Sequence, residues 1–102
     1  MTLMEFSIIP LDKGPSLSRY IAKALTVVDE SGLDYRANPM GTVVEGDWDQ
    51  LLGLLSRCFH ALQQDSDRIS IQAKFDYRKG MSGAITGKIT SVEAKAGRSF
   101  KQ

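Results

Sequence analysis

Disulfides, membrane spans and an excess of either charge are all missing from this 102-residue chain. Its single cysteine, Cys58, can form no internal disulfide, so a reducing, intracellular setting is expected. No apolar run approaches the roughly 18 residues of a membrane-spanning helix. The opening MTLMEFSIIP has neither a basic n-region nor a cleavage site, so no secretory signal is expected and the cytoplasm is the expected location. Thirteen basic and twelve acidic side chains leave a net charge of +1, favouring neither nucleic acid nor an anionic membrane. The one histidine, His60, stands two positions from Cys58 in a helical stretch and faces elsewhere, so a metal site or a Cys–His nucleophilic pair is not indicated. Neither the GxxxxGK[ST] phosphate loop nor the GxSxG elbow occurs, and GMSG reads as a flexible loop.

What is present is a regular alternation of elements. TLMEFSIIP reads as a strand, with Phe6 and Ile8 on one face and Glu5, Ser7 and Ile9 on the other. Pro10, which lacks an N–H, ends it. After the LDKGPS loop, Ser16 is the expected N-cap of a helix whose apolar stripe is Leu17, Tyr20, Ile21, Ala24 and Val28, stopped by Gly32. LDYRANPM and GTVVEGD form an antiparallel hairpin turning near Met40-Gly41. Asp47 and Gln50 make a capping box for a second helix that buries Trp48, Leu51, Leu52, Leu55, Cys58, Phe59 and Leu62. Gly53 within it suggests close packing. DRISIQAKFDYRKG alternates most cleanly, with Ile69, Ile71, Ala73, Phe75 and Tyr77 opposite Ser70, Gln72, Lys74, Asp76 and Arg78. Ile85, Ile89, Val92 and Ala96 are spaced for a short third helix.

This length is that of one domain, residues 1–102, and the order βαββαβ is the α+β, ferredoxin-like architecture, an antiparallel sheet with a short C-terminal helix added. Right-handed crossovers put both connecting helices on one face of that sheet. The other face then displays Glu5, Ser7, Ile9, Val43, Glu45, Gln72, Lys74 and Asp76. Charged, hydroxyl and amide groups among apolar ones suit a ligand site or a subunit interface, in which each buried charge needs a partner. Against this stands the plain reading of a solvated polar face, with Lys74 paired across strands to Glu45 or Asp76.

EFSIIP, PMGTVVEGDWD, KFDYR and KITSVEAK, in this order and spacing, resemble the thiamine-binding protein family from Met4 to about Lys95. The resemblance implies a ferredoxin-like fold, two subunits joined through their sheets and dimers paired into homotetramers. It also implies binding of thiamine or its hydroxymethylpyrimidine portion without known catalysis; no cofactor and no metal are expected. Ser7, Met40, Gly41, Thr42, Glu45, Lys74 and Asp76 match recurring family positions, and Asn38 stands where threonine is usual. Chemically, Glu45 would offset the thiazolium cation or accept from the amino group, Ser7 and Gln72 would hydrogen-bond ring nitrogens, and Val43 and Ile9 would form apolar walls.

The expected function is therefore non-enzymatic binding for carriage, or for delivery to transport or salvage. The competing readings are a ligand-sensing regulatory module, a structural oligomeric scaffold, an RNA-binding domain and an acid–base enzyme built on Glu45, Asp76 and Lys74. The RNA reading needs exposed aromatics on the central strands, where Phe75 and Tyr77 read as buried.

Overall fold

The computed structural model describes residues 1–102. Its elements are β1 (Thr2–Pro10), α1 (Ser18–Glu30), β2 (Asp34–Asn38), β3 (Gly41–Gly46), α2 (Trp48–Gln63), β4 (Ile69–Tyr77) and α3 (Ala84–Ala96). The four strands form one antiparallel sheet in the order β2-β3-β1-β4. This is the ferredoxin-like α+β fold expected from the sequence.

Alternation along the strands decides which side chains meet the helices. Met4, Phe6 and Ile8 of β1 and Val44 of β3 are buried against Tyr20, Ala24 and Val28 of α1 and Leu51, Leu54, Cys58 and Leu62 of α2. Leu54 does not belong to the stripe expected for α2, and Leu52 and Trp48, which do, lie exposed, as do Ile71 and Tyr77 on the face of β4 expected to be buried. Trp48 packs at the start of α2 against Phe75, with ring centroids 4.8 Å apart. Gln50 Oε1 accepts from the Asp47 N–H at 3.0 Å, the reciprocal arm of the expected capping box. In α1 the N-cap is Leu17 without a side-chain bond, not Ser16. Gly32 adopts φ +75° just past the end of α1, as a C′ glycine does.

The hairpin determines where a ligand could enter. Asn38 pairs with Gly41, leaving Pro39 and Met40 as a two-residue loop. Neither has positive φ, so the turn is not of the mirror-image types usual in such hairpins. Instead Pro39 presets its φ, and Asn38 Oδ1 accepts from the Met40 N–H at 2.8 Å. Gly41 is demanded by proximity: a Cβ there would lie 2.8 Å from the Phe6 carbonyl oxygen.

Candidate functional site

Across the sheet face turned away from α1 and α2, the register sorts the polar residues into rows. Glu45, Leu3 and Asp76 form one row; Val43, Glu5 and Lys74 the next; Ser7 and Gln72 a third; Ile9 and Ser70 a fourth. Lys74 Nζ lies 3.7 Å from Glu5 Oε1, a cross-strand pair that is largely solvated. Asp76 is joined to Lys88 of α3, and that ammonium holds its carboxyl below the usual carboxylate range.

A recess opens at the end of these rows. β3 pairs with β1 only as far as Thr42 opposite Phe6, whereas β4 follows β1 to Pro10. Beyond Phe6, β1 therefore has no ladder partner in β3. The resulting notch, of about 170 Å³, lies between Ser7–Ile9, the Asn38–Thr42 turn and Ile21, Ala24 and Leu25 of α1. Its lining is mainly apolar, with Ser7, Asn38 and Thr42 as the polar side chains and no charged residue. Met40, 87% exposed, overhangs both this notch and a shallower recess with Glu5, Ser7, Gln72 and Lys74.

Glu45 has a different setting. It is only 6% exposed, because the first turn of α3 lies over it. Its Oε2 accepts from the Gly83 N–H at 2.7 Å, and its Oε1 accepts from the Ala84 and Ile85 N–H groups at 2.5 and 3.3 Å. A carboxylate from β3 thus satisfies amides that α3 leaves without intrahelical partners, at the end where its dipole favours negative charge. Only Ala84 and Ile85 of α3 are buried, so this contact and the Lys88–Asp76 pair anchor an otherwise exposed helix.

Residues 4–93 match the family model described as thiamine-binding protein. The chain belongs to the thiamine-binding protein family. Its relatives include a UPF0045 protein of Methanocaldococcus jannaschii, 39% identical over 88 residues, which cover 86% of this chain and 88% of that one. Another, from Mycobacterium bovis, is 35% identical over 92 residues, covering 89% and 90% of the two chains. A crystal structure of the M. jannaschii protein superposes with a TM-score of 0.83 at 37% identity, over 89% of this chain and 94% of that one. A Thermotoga maritima protein proposed for thiamine biosynthesis or salvage gives a TM-score of 0.77 over 89% and 97% of the chains; at 21% identity it supports the fold alone.

For this member of the thiamine-binding family, the residues singled out from sequence are distributed unevenly. Ser7, Ile9, Met40, Gly41 and Thr42 gather at the notch. Gln72 and Lys74 join Ser7 and Met40 at the adjoining recess. Val43 and Asp76 lie nearer α3, in a shallow depression with Lys74 and Lys88. Glu45 lines none of these, and its row is about 13 Å along the strand from that of Ser7. Sequence reasoning passes over Ile21, Ala24 and Leu25 of α1, which wall the notch. The amphipathic stripe of α1 runs through Ile21 and Ala24, but nothing in it reveals that β3 stops short beside them.

Proposed function

We propose that this chain binds thiamine or its hydroxymethylpyrimidine portion without catalysing a reaction, as an oligomer joined through the open sheet face, with dimers pairing into tetramers. The role would be carriage, or delivery to transport or salvage. Membership of the thiamine-binding family supports the ligand class, and the uncharged notch beside Ser7–Ile9 is the observation that carries the site. Its volume is below the roughly 300–1,000 Å³ of sites that enclose drug-sized ligands. One ring fits it, leaving the rest of the ligand over the neighbouring sheet face. Ser7 and Thr42 offer hydroxyls, Ile9 and Met40 apolar surface, and Gly41 backbone without obstruction; Gln72 and Lys74 border the emerging part, with Val43 and Asp76 one or two rows beyond.

The carboxylate nearest that path is Glu5, which shares the recess with Ser7 and Gln72. It is the group we assign to offset the thiazolium charge, since both oxygens of Glu45 are engaged by α3. Calorimetric titration of ligand-stripped protein tests the reading. Saturable heat near one site per subunit is expected for thiamine and for hydroxymethylpyrimidine. Glu5→Gln should weaken thiamine about tenfold, or about 1.4 kcal/mol, with less effect on the uncharged pyrimidine. No heat and no thermal shift at millimolar ligand would refute it. A large affinity loss in Glu45→Gln, with α3 amides still protected from exchange, would return Glu45 to the ligand. Light scattering on eluting protein at micromolar concentration should give a dimer or tetramer; a stable monomer would exclude the sheet-joined assembly.

A further inference from the structure

We infer that the exposed flank of α3, with the loop before it and the segment after it, is a docking surface for an anionic lipid bilayer. Adsorption is peripheral, since no helix of the chain is long and apolar enough to cross a membrane. This goes beyond the ligand reading above and does not depend on it.

Charge distribution supplies the first step. The net charge of +1 conceals two unequal parts. Residues 78–102 carry Arg78, Lys79, Lys88, Lys95, Arg98 and Lys101 against the single acid Glu93, a side-chain balance of +5. Residues 1–77 carry seven basic and eleven acidic side chains, a balance of −4. The second step is whether neighbours cancel those cations. Lys88 pairs with Asp76, but none of the other five has a carboxylate within ion-pair distance. Glu93 is turned to its own tail, accepting from the Phe100 N–H at 2.5 Å. Asymmetry of this size within one chain points to an extended anionic partner, and the acidic remainder, repelled by the same surface, orients the molecule.

The lining decides which anionic surface fits. Arg78 and Lys88 border a shallow depression shared with Met81, Val92, Ser82 and Ser91. Lys95 continues this flank, seven residues on from Lys88 and three from Val92. Only Ala84 and Ile85 of α3 are buried, and Val92 is 54% exposed. Clusters of roughly four to eight basic residues on an exposed helical segment are drawn to anionic headgroups. Aliphatic side chains standing among the cations suit the boundary of headgroups and acyl chains, where both find a favourable phase. A phosphodiester backbone gains nothing from Met81 and Val92. Single-stranded nucleic acid also needs aromatic platforms, and the depression has none. Phe100, farther along the chain, is covered by the Arg98 guanidinium, 5.1 Å from its ring centroid.

The test is sedimentation of the full chain with vesicles of phosphatidylcholine, pure or mixed with phosphatidylglycerol at about 30%, the anionic fraction chosen to give a strongly negative surface. The protein should pellet with the mixed vesicles at low salt, at least tenfold less with pure phosphatidylcholine, and progressively less as salt screens the surface. Lys95→Gln with Lys101→Gln should weaken binding to the mixed vesicles at least tenfold, since each basic residue near such a surface contributes roughly fivefold. Arg57→Gln with Arg68→Gln removes the same charge from exposed positions elsewhere and should change binding less than about twofold. Val92→Ser, which keeps every charge, should weaken it about threefold. Light scattering and α3 amide exchange should be the same in all variants before vesicles are added. Equal binding to neutral and anionic vesicles, or none to either, would overturn the inference. Equal losses in the two double variants would overturn the placement on α3. Retention by single-stranded RNA without pelleting on mixed vesicles would overturn the choice of a bilayer as the partner.

Discussion

Glu45 shows how a charged residue is tolerated within a strand: three main-chain N–H groups converge on its carboxylate. Replacing it with alanine leaves those amides buried without an acceptor. Hydrogen bonds to a charged group contribute about 1.5–3 kcal/mol each, but removal of a helix cap ordinarily costs about 0.5–2 kcal/mol because water recovers part of the loss. Glu45→Ala should therefore destabilise the fold by about 2–3 kcal/mol in urea titration, with hydrogen exchange rising first at residues 83–96. Global unfolding with no preferential loss of protection in α3 would contradict the anchoring role. Cys58 presents the opposite case, an ionisable group with no charge to offset. Burial pushes its thiol up to about 11, outweighing the nearby Arg57 cation. Since the thiolate is the reactive form, Cys58 in native protein at pH 8 should react with a thiol reagent at least a hundredfold more slowly than in urea. Comparable rates in both states would show that the helix pair covering it opens readily.

Two glycines in different elements are expected to respond in opposite directions. A Cβ at Gly41 would meet a main-chain oxygen, which has little freedom to move, so Gly41→Ala should cost about 1–3 kcal/mol and distort the notch. Gly53 has open space around it and lies exposed within α2, so Gly53→Ala should stabilise the protein by about 0.5–1 kcal/mol. Thermal unfolding of both variants checks the signs, and the close packing that a mid-helix glycine suggested at Gly53 is absent. Elements of this kind are largely legible in sequence. The span of β1 follows from its alternation and Pro10, and α2 begins where Asp47 and Gln50 place it. Burial within an element is less legible, because the exact rotation of α2 exchanges Leu52 for Leu54. α3 is least so. Its expected stripe runs through Ile85, Ile89, Val92 and Ala96, yet only its first turn is buried, held by a carboxylate 38 residues earlier in the chain. The notch is similarly hidden, because it arises from two strands of unequal length rather than from any motif.

At the scale of the whole molecule, three carboxylates tie separate segments together. Asp12, in the loop after β1, accepts from the Ser66 hydroxyl and the Asp67 N–H in the loop before β4. Asp65, just past α2, pairs with Lys23 of α1 at 3.1 Å. Asp76 of β4 pairs with Lys88 of α3. The Ser66 hydroxyl above all lowers the Asp12 pKa, the Lys23 ammonium that of Asp65 and the Lys88 ammonium that of Asp76. Each group is thus more acidic folded than unfolded, where its pKa is about 3.9. Its contribution is complete above that unfolded value and disappears as pH falls through the lower, folded value. The urea midpoint should accordingly change little in these groups' account between pH 8 and about 5, then decline below about pH 4. The sites are solvent-exposed, so each step is small and the two ion-paired ones shrink with salt, whereas the Asp12 contacts to Ser66 and Asp67 are less sensitive to it. Lys88→Met removes one tie without touching β4 itself and should flatten the acid decline. An unchanged acid profile in Lys88→Met, accompanied by unaltered exchange in α3, would show that the Asp76 pair contributes nothing to holding that helix on the sheet.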